Sequence, residues 1–174
     1  MTLKQTPSQT VGPWFAYGLT PESYGHKGIA DGRMATAATK GQRLALTGCL
    51  FDGTGAPVPD AMLEVWQANA QGRYRHPADA RAAVPIDESF TGFGRVATGK
   101  DGRYAIETIK PGRVPARGNV LQAPHLNLIV FSRGLLSHLY TRVYFSDEEA
   151  ERLRTEMRGR ARTGEPRSFP LAEI

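Results

Sequence analysis

From Gln42 onward, apolar residues recur at alternate positions in short runs, and glycine or proline closes each run. Leu44, Leu46, Gly48 and Leu50 alternate with more polar neighbours, and Leu63 and Val65 alternate with Met62, Glu64 and Trp66. HLNLIVF at 125–131 and HLYTRVYF at 138–145 follow the same pattern. Neighbouring side chains on a strand point to opposite faces, so period two buries one face and wets the other. With 19 glycines and 12 prolines interrupting the chain, long helices have little room. The pattern predicts a mainly β fold, an antiparallel β-sandwich or open barrel with long loops, because strands without intervening helices pair with their sequence neighbours.

Finer signals predict how the strands connect. FDGTGAPVPD is a turn-rich link, and GKDG between Val96–Thr98 and Arg103–Ile109 predicts a hairpin, since Asp-Gly supplies the positive φ of a tight turn. PGRVPARGNVLQAP is a long loop, and SRGLLS joins two further strands. Ser146 with Glu149 forms a capping box, and Ala150, Leu153 and Met157 mark one face, so a short C-terminal helix is expected over 146–158. The whole reads as one domain, 1–174: an irregular arm (1–41), a β core (42–145), that helix, and an atypical tail (159–174).

Charge narrows the partners. The net charge is +5, of which the six arginines and four glutamates of 151–174 supply +2. The remaining +3 is too diffuse for a nucleic-acid footprint, though it can draw an anionic substrate. No apolar run reaches the roughly 18–20 residues of a membrane span. Cys49 is the single cysteine and cannot form an internal disulfide. The first ten residues, MTLKQTPSQT, lack an apolar leader, so the cytoplasm is the expected compartment.

Four places hold candidate chemistry. His125 and Asn127 share one strand face, but His-x-Asn is a poor metal pair, and a structural histidine beside a polar neighbour explains it as simply. Tyr74 in GRYRH becomes a phenolate ligand only beside a strong Lewis acid; otherwise it is a sheet-edge tyrosine. Arg133 in FSRG is either a loop arginine or a fixed fork of donors for a carboxylate or oxyanion. Trp66 is either a core anchor or a substrate wall, and size favours the core; Cys49 reads as a buried thiol.

TPSQTVGPWFAYGL at 6–19, LEVWQANAQGRYRH at 63–76, IKPG at 109–112, APHLNLIVFSRG at 123–134 and YFSDE at 144–148 together resemble the intradiol ring-cleaving dioxygenases. The resemblance is strongest to the α chain of members that cleave protocatechuate with paired α and β chains. It implies a β-sandwich core and O2-dependent opening of a catecholic ring between its hydroxylated carbons, giving a carboxy-muconate. It also implies Fe(III) in the β chain, held by two tyrosines and two histidines. Those four places fall here on Tyr74, Val114, His125 and Asn127, and a family arginine falls on Gln122. Two of four donors remain, so the resemblance implies a chain that binds no iron itself and partners an iron-bearing β chain.

By the same resemblance, Thr10, Gly12, Pro13 and Trp14 of the arm line the partner's substrate pocket, and Arg133 faces it as the catalytic cation. A final strand ending in a YRFDIxLQG-like stretch is replaced here by GEPRSFPLAEI, from which a truncated or frame-shifted terminus is expected. The competing expectation is a non-catalytic β-sandwich module that binds an aromatic acid or a protein partner.

Overall fold

A computed structural model describes residues 16–116, 120–148 and 171–172. Among the described residues, nine strands follow a four-residue helix α1 (Ala16–Leu19) and a 3-10 turn (Pro21–Tyr24). They are β1 (Arg43–Cys49), β2 (Met62–Trp66), β3 (Phe93–Ala97), β4 (Arg103–Ile109), β5 (Val114–Pro115), β6 (Leu121–Gln122), β7 (His125–Phe131), β8 (Leu139–Phe145) and β9 (Leu171–Ala172). The larger sheet has the order β3-β2-β7-β8-β9; β1 pairs with β4, and β5 with β6. All pairs are antiparallel except β8 with β9, where Tyr144 lies opposite Leu171.

The period-two pattern becomes the core. Leu63 and Val65 of β2, Leu126, Leu128 and Val130 of β7, and Val143 and Phe145 of β8 point inward from the larger sheet. Leu46 of β1 and Ile106 and Ile109 of β4 meet them from the second layer, with Met34 and Phe90 closing the edges. Each such side chain removed from water contributes about 1.5–3 kcal/mol, which is what holds the two layers together. Gln67 ties the layers with polar bonds: its Nε2 donates to the Ile109 carbonyl at 2.9 Å, and its Oε1 accepts from Thr108 Oγ1 at 2.8 Å.

The hairpin expected across GKDG does not form. The turn itself is present, with Gly102 at φ 74° and Gly99 N–H donating to the Arg103 carbonyl at 2.8 Å. Its two strands nevertheless part, β3 to β2 and β4 to β1. Thr98 is the reason. Its hydroxyl accepts from Ala61 N–H at 2.9 Å and donates to the Val58 carbonyl at 2.8 Å. That closes the β2–β3 ladder and turns the chain towards the other layer. The helix expected over 146–158 lies outside the described residues beyond Glu148; Ser146 and Asp147 form a turn. The arm's described part is α1 and the 3-10 turn, and no described helix is long and apolar enough to cross a membrane.

Candidate functional site

The outer face of the larger sheet carries a polar row fixed by strand register. Since Leu126, Leu128 and Val130 point into the core, His125 and Asn127 point away from it. Asn127 lies opposite Trp66 on β2 and opposite Arg142 on β8, so these three residues stand side by side across three strands. His125 and Tyr144 form the next rung.

The loop after β2 returns Tyr74 to this row. Asn69 organises it. Its side-chain oxygen accepts from the backbone N–H groups of Gln71 and Arg73, each at 3.0 Å, and its Nδ2 donates to the Pro85 carbonyl at 3.0 Å. Gly72 is in the left-handed region at φ 80°, and a Cβ there would lie 2.0 Å from the Arg113 carbonyl oxygen. Gly112 packs back on it, its own Cβ position 2.5 Å from Gly72 N. The glycines of QGRY and KPG therefore allow two backbones to touch. Tyr74 consequently sits on a loop over the sheet, correcting its reading as a sheet-edge residue. Its ring stacks on Trp66 at 5.9 Å and 11°. Trp66 is half-buried and faces this cleft, which corrects its reading as a core anchor.

Tyr74, Val114, His125 and Gln122 line one cleft of about 680 Å³ with Trp66, His76, Asp79, Arg81, Pro115 and Arg142, and Asn127 hydrogen-bonds two of these residues, Tyr74 and Arg142. Arg142 was not legible as a site residue, yet it lines this cleft. Its Nε donates to Asn127 Oδ1 at 3.0 Å, and its Nη1 donates to Gln122 Oε1 at 2.8 Å. Asn127 Nδ2 donates to the Trp66 carbonyl at 3.1 Å and to the Tyr74 hydroxyl at 3.4 Å. His125 is buried, with Nδ1 2.8 Å from the Ala123 carbonyl; a carbonyl only accepts, so Nδ1 carries the proton.

Burial is the largest influence on the Tyr74 phenol and raises its pKa above the ordinary value, outweighing the Asn127 hydrogen bond and the Arg142 charge that pull it down. At the cleft rim Asp79 receives Arg81 Nε at 2.7 Å and Tyr74 N–H at 2.9 Å. The Arg81 hydrogen bond, the largest cause, holds the Asp79 carboxyl far below the usual carboxylate range.

These residues do not fit a ferric ion. Val114 ends in methyl groups and lies across the β5–β6 ladder from Gln122. The Asn127 amide is committed at both ends, and a fixed guanidinium would repel a trication in the same space. The chemistry left to the cleft is that of a cationic, aromatic-walled pocket.

Arg133 is elsewhere. It follows β7, six residues beyond Asn127, roughly 20 Å along the strand direction. Its Nη2 lies 3.4 Å from Asp60 Oδ2, with both side chains half exposed, so the pair contributes about 1 kcal/mol or less. It shares a second cleft with Leu50, Phe51, Pro57, Leu135 and Leu139. Around it Phe51, Leu136, Leu139 and Tyr140 are exposed. Thr10, Gly12, Pro13 and Trp14 lie outside the described residues. Cys49 is half-buried at the end of β1, its thiol donating to the Asp101 carbonyl at 3.2 Å.

A family model described as Dioxygenase matches residues 12–156. The chain is 48% identical over 153 residues to the protocatechuate 3,4-dioxygenase alpha chain of Burkholderia cepacia, covering 86% of this chain and 74% of that one. It is 42% identical over 107 residues to the beta chain of the same organism's enzyme, covering 60% and 45%. Among solved structures, the dioxygenase domain of a dioxygenase–carbohydrate-binding protein fusion from Streptomyces sp. SirexAA-E superposes with a TM-score of 0.54 at 26% identity. That match covers 68% of this chain and 66% of the other.

Proposed function

Because this chain belongs to the intradiol ring-cleaving dioxygenase family, whose chemistry depends on iron, we propose that it is the iron-free α subunit of a protocatechuate 3,4-dioxygenase. Its role is to support O2-dependent cleavage of protocatechuate to 3-carboxy-cis,cis-muconate at iron held by a β subunit. The carrying observation is the Arg142–Asn127 bond, which places an organic cation and a committed amide where a ferric centre would need an imidazole and open space.

The chain's own contribution is then made at its surface. Arg133 carries a positive charge that its weak Asp60 pair does not use up, on an exposed apolar rim of Phe51, Leu136, Leu139 and Tyr140. Apolar exposure around one cation suits a protein partner, and the cation suits an anionic substrate or developing oxyanion in the partner's pocket. Thr10, Gly12, Pro13 and Trp14 are assigned to the wall of that pocket on the family likeness. A cytoplasmic setting accords with Cys49 standing as a free thiol.

Reconstitution tests the proposal. The purified chain alone should consume no O2 with protocatechuate, and mixing it with an iron-loaded β chain should restore protocatechuate-dependent uptake. Turnover by this chain alone, or failure to associate with the β chain, would overturn it.

A further inference from the structure

The cleft over Tyr74 has an unspent charge. Arg142 donates two hydrogen bonds of ordinary length, to Asn127 Oδ1 and Gln122 Oε1, and makes a long contact to the Tyr144 hydroxyl at 3.5 Å; all are neutral. Its Nη2 has no acceptor among the described residues, and it is not among their buried unsatisfied atoms, so it is open to the cleft. The other charges in the cleft cancel, because Arg81 binds Asp79 through Nε at 2.7 Å and Nη2 at 2.5 Å. Arg142 therefore leaves the cleft with one uncompensated positive charge, set by a rigid row of strand residues.

The walls are specific too. The stacked Trp66 and Tyr74 rings form one side, with His76 edge-on to Trp66 at 6.3 Å. Val114 and Pro115 add apolar lining to the same cleft. A flat aromatic wall with apolar lining suits a planar ring, and a preorganised guanidinium in the same cleft suits a carboxylate. Gln122 and Asn127 hold the fork from two strands, so little side-chain freedom is lost when an anion binds.

We propose that this cleft is a binding site of the chain's own for a small aromatic carboxylate, with Arg142 pairing the carboxylate and Trp66 and Tyr74 covering the ring. The inference rests on the cleft's geometry and stands whether or not the subunit assignment does.

The test titrates the full-length chain in a chelator-containing buffer with benzoate and, separately, with benzamide. Binding is read by ligand-observed saturation-transfer NMR and by quenching of tryptophan fluorescence, with Trp66→Phe identifying the reporting ring. Benzoate should bind saturably, at least about tenfold more tightly than its neutral isostere. Arg142→Gln, which removes the charge, should weaken benzoate by at least about tenfold while leaving benzamide unchanged. Arg142→Lys, which keeps the charge without the fork, should fall between. Equal affinities for benzoate and benzamide in the unaltered chain, or no saturable benzoate binding, would overturn the proposal without relying on any variant's folding. So would full benzoate affinity in a folded Arg142→Gln protein.

Discussion

Arg142 on β8 and Asn127 on β7 face each other across the antiparallel ladder, and the guanidinium Nε donates to the amide oxygen at 3.0 Å. This bond commits the amide that would otherwise be the weakest surviving donor of the cleft. It also explains why restoring donors one at a time should fail. Asn127→His alone, or with Val114→Tyr, leaves the guanidinium beside the new ligands. Adding Arg142→Ala to both should be the first combination to retain Fe(III) through desalting, seen as a visible tyrosinate-to-iron absorption band. Retention by the double variant that keeps Arg142 would contradict the electrostatic part of the account.

Arg133→Ala should lower turnover or substrate affinity of the reconstituted complex while leaving its elution volume unchanged. Leu139→Asp, on the same exposed rim, should instead weaken association with the β chain. Steady-state O2 uptake and analytical gel filtration separate the two effects; an unchanged rate for Arg133→Ala would remove it from the substrate pocket.

Alkaline stability should depend on Tyr74 and Tyr104. Burial, the largest cause in each, raises the phenol's pKa in the folded chain above its unfolded value of about 10. The folded state therefore keeps its proton longer, and the stability this gives is complete below about pH 10 and is lost as pH rises through the folded values. Tyr74→Phe should flatten the fall in melting temperature above pH 10. An unaltered alkaline slope would show that the phenol titrates normally.

Backbone contact between Gly72 and Gly112 should make Gly72→Ala one of the costliest small substitutions in the chain. The added methyl meets a carbonyl oxygen in a region of φ that L side chains avoid, and a loss of at least about 2 kcal/mol is expected. Gly53→Ala, with nothing within 4 Å, should change stability by less than about 0.5 kcal/mol. Urea unfolding of the two variants measures the contrast.

Glu64 and Arg95 pair across β2 and β3 at 2.6 Å, with side chains 16% and 12% exposed. Arg95→Ala strands the carboxylate and should cost about 3 kcal/mol. Arg33→Ala, which breaks an ion pair with Arg33 74% exposed, should cost under about 1 kcal/mol. Similar losses for both would show that burial does not set the strength of these pairs.

The core was legible in the sequence because burial writes itself as period two: Leu63 and Val65, and Leu126, Leu128 and Val130, all point where alternation places them. The GKDG turn was legible as a turn but not as a topology, since Asp-Gly fixes φ locally while Thr98 decides which sheet the next strand joins. Tyr74 and His125 could be singled out one by one, but their meeting depends on the Asn69 loop and the contact of two glycines, which leave no periodic trace. Arg142 was invisible for a related reason. A cation inside HLYTRVYF is a local oddity, and only the β7–β8 register sets it against Asn127. Trp66 was misassigned because its size suggested the core, while its parity with Glu64 puts it on the outer face.

The proposal that this chain holds no iron centre is tested most directly by metal stoichiometry. The isolated full-length chain, incubated with Fe(III) and then passed through a chelating column, should retain only a trace of iron by elemental analysis. Retention of one tightly bound iron per chain would contradict the account, because Tyr74 and His125 would then be working ligands and Arg142 would have to move aside to admit them.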